Sequence, residues 1–159
     1  METWQALTEL KAAGHAHSIG VSNFHVEHLE RIIDATGVVP AVNQVELHPS
    51  LQQRELRRFH EQHEIRTEAW SPLGQGSALQ DPIVERIASA PGRTPAQVVL
   101  RWHLQLGDVG NVVIPKSVTP ARIEENFAIF DFELTEEDMR SLEKLDAGER
   151  IGPDPASFS

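Results

Sequence analysis

Two residue types are missing altogether: the 159 residues include no cysteine and no tyrosine. Without cysteine there is no disulfide framework, no thiolate nucleophile and no thiolate ligand for a metal, which fits a cytoplasmic protein. Without tyrosine there is no phenolic hydroxyl to serve as a proton donor. Positive charge is scarce too. Fourteen Lys and Arg stand against 24 Asp and Glu, a net charge of −10, with acid concentrated beyond residue 123. That balance argues against nucleic acid or an anionic membrane surface as a partner. No apolar run approaches the ~20 residues of a membrane helix. The first twenty residues carry Glu2, Glu9 and Lys11 and no apolar secretory core.

What is present is a rhythm. Trp4, Leu7 and Leu10 predict a helix over 2–13, closed by Gly14. A strand and its exit follow at 18–23, a helix at 25–35 with Val26, Leu29 and Ile33 on one side, and a second strand at 40–46. Another helix at 51–62 and a strand at 66–70 repeat the unit, as βα repeats around a parallel sheet do. Residues 71–80 read as a loop, where Gly74 and Gly76 suit a mobile flap. Asp81-Pro82 and Thr94-Pro95 open two helices, 81–90 and 94–106, before a fourth strand at 111–114. Thr135 caps a last helix with an acidic first turn, and a Pro-containing tail covers 151–159.

One stretch carries unusual charge placement. Asn111 to Ile114 is β-branched, as a buried strand would be. Thr119 and Pro120 then start a helix as N-cap and first helical residue. Ile123, Phe127 and Phe130 recur at helical spacing, a stripe expected to pack inward. Arg122, Glu125 and Asn126 share another face. Lys116 lies just before the helix and Arg122 in its first turn, where the macrodipole disfavours cations by ~0.3–1 kcal/mol each. Either an anion sits between them, or Glu124 and Glu125 neutralise them on a solvated surface.

Ile114-Pro115-Lys116-Ser117-Val118-Thr119-Pro120-Ala121-Arg122-Ile123-Glu124-Glu125-Asn126 closely resembles the adenosine-phosphate motif of the aldo-keto reductases. The resemblance implies a (β/α)8 barrel and NADP(H) as cofactor. Lys116, Ser117 and Arg122, with Val118 between them, would hold the 2′-phosphate, and Glu125 and Asn126 would face the adenine. Ile19-Gly20-Val21-Ser22-Asn23-Phe24 and Val42-Asn43-Gln44-Val45-Glu46-Leu47-His48-Pro49 resemble two further family stretches. They imply that Ser22, Asn23 and Gln44 bind the nicotinamide carboxamide; read locally, Ser22 or Asn23 could equally cap the following helix. Trp70 stands where the family usually has a nicotinamide-stacking Tyr, and taken alone it could be a core aromatic. Ser71, Leu73 and Gln75 would lie along the pyrophosphate.

Eight histidines raise the question of a metal. His25 with His28 and His60 with His63 recur at i, i+3, but no HExxH or convergent carboxylate accompanies them, and they read as solvated helix residues. His48 reads as structural.

In this family a Tyr donates the proton, an Asp and a Lys tune it, and a His orients the carbonyl substrate. All four come from the first half of the barrel, before the point where this chain starts. With 159 residues against the ~250 of a typical barrel, the expectation is the C-terminal half of an α/β barrel: a single partial domain over 1–159, four parallel strands, most of the cofactor site and no catalytic set. The closest resemblance is to small bacterial diketogluconate-reductase-like members. The alternatives are a non-catalytic nucleotide-binding or structural module, and a fragment left by a misplaced start. Either way the open sheet would self-associate or pair with an N-terminal half barrel. Its inward faces, at residues such as Val21, Val42 and Ala69, would lack their packing partners.

Overall fold

Four strands run parallel and lie side by side in chain order: β1 (Val21–Ser22), β2 (Val42–Glu46), β3 (Arg66–Trp70) and β4 (Val112–Val113). The structure is a computed structural model describing residues 1–90, 92–107 and 111–157. Helix α1 (Glu2–Ala12) precedes β1, and α2 (Val26–Thr36) and α3 (Arg54–Gln62) make the first two crossovers. A 3-10 segment (Gly74–Gln80), α4 (Pro82–Ser89) and α5 (Pro95–Leu104) connect β3 to β4. Then come α6 (Pro120–Phe127), α7 (Glu136–Glu143) and a 3-10 turn at Pro155–Ser157. Four parallel strands with surrounding helices is the expected arrangement.

The helix starts follow from their caps. Asp81 accepts from the Ile83 amide at 2.8 Å. Thr94 and Gln97 exchange reciprocal bonds, and Thr135 and Asp138 do the same. Gly37, at φ 67°, closes α2 with a left-handed turn. Some boundaries differ from expectation. Residue 51 does not begin α3, because Leu51 and His48 bridge each other's backbones and Gln53 sits left-handed at φ 44°. The loop over 71–80 is largely 3-10 helix. Thr119 precedes α6 without a side-chain cap; the Ser117 hydroxyl accepts from the Thr119 amide instead, at 3.2 Å.

Register assigns the two faces of the sheet. Ser22, Gln44, Glu68 and Val112 lie level across the four strands. Strand side chains alternate, so Val21, Asn43, Val45, Thr67 and Ala69 share the other face, which the helices cover. Val45 joins Trp4, Leu29, Ile32, Leu56 and Ile65 in one apolar cluster, with Val21 packed against it. Ala69 joins Leu47, Val84, Val98 and Trp102 in a second. Val21 and Ala69 therefore do not face inward as expected; they anchor the helices. Val42 does lie on the open face, and its row-mates there are mainly polar.

The last crossover departs furthest from the sequence reading. Ile123, Phe127 and Phe130 are 52%, 76% and 65% exposed rather than packed inward, and Val112 and Ile114 are exposed as well. β4 is an edge strand paired only with β3, so nothing described lies beyond it for α6 to pack against. α6 buries no residue. No helix of the described residues is long and apolar enough to cross a membrane.

Candidate cofactor site

Because the strands are parallel, the segments leaving them emerge at one end of the sheet, and there the polar groups gather. The Ser22 hydroxyl donates to the Gln44 carbonyl at 3.0 Å. The Asn23 amide donates to the same oxygen at 2.8 Å, and Asn23 takes the left-handed φ of 59°. That turn brings its side-chain oxygen onto the Trp70 indole, whose Nε1–H donates at 2.8 Å. The Gln44 side-chain amide donates to the Glu68 carboxylate on the next strand. Ser22, Asn23, Gln44 and Trp70 thus lie together at the strand ends. A cleft of about 520 Å3 opens beside them, lined by Ser22, Asn23, Phe24, Trp70, Arg31 and Pro153 among others.

Ser71, Leu73 and Gln75 continue from Trp70 through two tight turns, in which the Gly74 amide donates to the Ser71 carbonyl and the Gly76 amide to the Leu73 carbonyl. Ser71 and Gln75 both carry positive φ, 48° and 52°. Such backbone costs of order 1–3 kcal/mol per residue and gathers at ligand sites.

Lys116, Val118 and Arg122 are exposed, and Ser117 is half-buried. Among the described residues neither Lys116 nor Arg122 forms an ion pair. Glu124 and Glu125 form none either among the described residues. Glu125 instead accepts from the Thr94 hydroxyl at 2.6 Å, turned toward the start of α5. Asn126, one residue on, is half-buried.

Two polar assemblies behind these residues escaped the sequence reading. His60, taken as solvated, is 1% exposed. Its Nε2 meets the Asn43 amide nitrogen at 3.1 Å and its Nδ1 meets the Thr67 hydroxyl at 2.8 Å. Asn43 is itself fixed by both polar groups of the Phe24 backbone, so it donates to Nε2 and the ring carries its proton on Nδ1. Burial, with help from Arg57, pushes the His60 pKa down to about 4. The helical spacing of His60 and Leu56 was the available signal. The second assembly is Glu46 with His48, 3.0 Å apart and both buried. His48 is structural, as expected. His25 and His28 form the capping box of α2, and no group of three metal-ligating side chains exists among the described residues.

Four parallel βα units with their polar residues at the strand ends define half of a (β/α)8 barrel. The Aldo/keto reductase family matches residues 1–147, and the chain belongs to that family. It is 58% identical, over all of its 159 residues, to 56% of an aldo-keto reductase of Mycobacterium sp. (strain KMS). It is 52% identical over 160 aligned positions to the methylglyoxal reductase DkgA of Yersinia pestis, covering 57% of that protein. A crystal structure of a Gox0644 mutant in complex with NADPH matches with a TM-score of 0.94 and 58% identity, over 99% of this chain and 58% of that one. The chain thus spans little more than half the length of these relatives.

Proposed function

We propose that the chain is the NADP(H)-holding half of an aldo-keto reductase, an oxidoreductase that moves a hydride between the cofactor and an aldehyde or ketone. The observation that carries this reading is the pair Lys116 and Arg122, two cations without ion-pair partners among the described residues at the start of α6. A helix N-terminus flanked by two cations suits a dianionic 2′-phosphate. Ser117 adds a hydroxyl there, and Val118 the backbone between. Glu125 is engaged by Thr94, so Asn126 is the amide left to pair with the adenine edge.

At the other end the free valences are complementary to a carboxamide. Asn23 spends its oxygen on Trp70, leaving its NH2 to donate. Gln44 spends its NH2 on Glu68, leaving its oxygen to accept. Trp70 offers a ring face for stacking, and Ser71, Leu73 and Gln75 lead from there toward the pyrophosphate. When bound, the dinucleotide supplies the hydride; these residues orient it. With no tyrosine in the chain, the usual proton donor is not among its residues, and the chain alone is inactive. Turnover requires the family's Asp, Tyr, Lys and His from an N-terminal half barrel.

Titrating NADPH and NADH against tryptophan fluorescence tests the reading. NADPH should bind tighter by about one to two decades, the worth of one charge-assisted Arg contact. Equal affinities overturn it.

A further inference from the structure

Residues 146–154 cross the strand ends as a strap. Asp146 accepts from the Gln52 amide and pairs with Arg54, each at 3.0 Å. The Ala147 and Glu149 amides both donate to the Ser50 carbonyl at 3.1 Å. The Glu46 carboxylate then accepts from the Ile151 amide at 2.6 Å and the Gly152 amide at 3.2 Å. Beyond it Asp154 meets His25 at 3.2 Å. Glu46 is 1% exposed, and its inner oxygen also receives His48 Nε2 at 3.0 Å. A buried carboxylate taking several N–H donors makes charge-assisted bonds, roughly twice as strong as neutral ones.

The strap passes over one particular ring. Glu46 and Trp70 are register partners on β2 and β3, so both project from the same face. Gly152 touches both: a Cβ built there would lie 2.6 Å from Trp70 Cη2 and 3.2 Å from Glu46 Oε2. The indole is thus fixed at both extremities. Nε1 is hydrogen-bonded to Asn23, and the six-membered ring abuts a backbone position with room only for hydrogen.

We infer that Glu46 and Gly152 are positioning residues for Trp70: the Glu46 carboxylate draws the 151–152 backbone onto the far edge of the indole and thereby sets the ring plane offered to the nicotinamide. The inference rests on the proposed stacking role of Trp70. A binding group must be held to within about 10–20° by its supporting contacts, and one hydrogen bond at Nε1 leaves the opposite edge free to swing. The strap removes that freedom. Its effect is expected at the nicotinamide end, because among the described residues no hydrogen bond or ion pair joins the strap to Lys116, Ser117 or Arg122.

Gly152→Ala, made in the whole chain, separates this from general stability. The three indole N–H resonances are read first. That of Trp70 should move, while those of Trp4 and Trp102, buried in the two apolar clusters, should stay. NADPH should then bind about tenfold more weakly, whereas 2′,5′-ADP, which lacks the nicotinamide, should bind within about twofold of wild type. Glu46→Gln should repeat the split and speed tryptic cleavage after Arg150. An unmoved Trp70 resonance, or equal weakening of both nucleotides, overturns the inference. If Glu46→Gln fails to fold, Gly152→Ala decides alone. Should the wild type bind neither nucleotide, the cofactor reading fails, and a moved Trp70 resonance still supports the strap as the support of the ring.

Discussion

Thr94 donates its hydroxyl to Glu125 at 2.6 Å, tying the first residue before α5 to α6. Gln97 adds bonds to the Glu125 and Ala128 carbonyls at 3.3 and 2.9 Å. Since α6 buries no side chain, these polar ties hold it in place. Removing the carboxylate in Glu125→Ala should loosen α6 by about 0.5–1.5 kcal/mol, the usual net worth of a hydrogen bond. Amide exchange should quicken across 120–128 and remain slow in α5. Uniform exchange changes in both helices would contradict this local tether.

Arg122→Ala should lower NADPH affinity by about one to two decades and leave NADH nearly unchanged, because the contact proposed for Arg122 is with the 2′-phosphate alone. Calorimetry with both nucleotides reads the difference. Equal losses would place Arg122 elsewhere on the dinucleotide.

Acid should destabilise the fold through two buried imidazoles. Burial, with Arg57, lowers the His60 pKa to about 4, and burial lowers that of His103 to about 3. The unfolded value is near 6.5, so between these limits the unfolded chain binds protons that the folded chain refuses. Their contribution is whole above pH 6.5 and falls by up to about 1.4 kcal/mol per group for each pH unit below it. Urea unfolding at pH 7 and pH 5 should show a smaller acid loss in His60→Gln than in wild type. An identical loss would mean that His60 charges freely in the folded state.

The exposed stripe should make the chain associate. Phe127 and Phe130 are mostly exposed and stack edge-on, 5.6 Å between ring centres, beside an edge strand. Sedimentation at micromolar concentration should show species above 17.7 kDa. Phe127→Ser with Phe130→Ser should shift the distribution toward monomer. A wild type that stays monomeric refutes the expectation.

Thr135→Ala removes the N-cap of α7, where the hydroxyl accepts from the Asp138 amide at 3.1 Å. The loss should be about 1 kcal/mol, or roughly 2–4 °C in Tm for a chain of this size. Calorimetry of the variant measures it.

The sequence was most legible where a local rule and the tertiary context agree. β3 runs over the expected residues because Arg66–Trp70 is paired on both sides. The caps at Asp81, Thr94 and Thr135 open their helices. Ser22, Asn23 and Gln44, read from family-like stretches, lie at adjoining strand ends, with Trp70 bonded to Asn23. Periodicity failed where it identifies an apolar face but not its cover: Ile123, Phe127 and Phe130 lie at helical spacing and face no packing layer. Assigning Val21 and Ala69 inward failed because a strand's alternation does not reveal which of its two faces receives the helices; register does. Glu46 escaped notice because its partners, Ile151 and Gly152, lie over a hundred residues away and contribute only backbone.

The row Ser22, Gln44, Glu68 and Val112 has a practical meaning for anyone using the chain as a scaffold. Halving a barrel is usually pictured as spilling an oily centre. Here the oil is on the opposite side, sealed under helices in two clusters, and this row is already hydrophilic at three of its four positions. A designer could therefore diversify the Ser22 and Glu68 positions, or graft a new lining there, without disturbing the layer that keeps the strands and helices together.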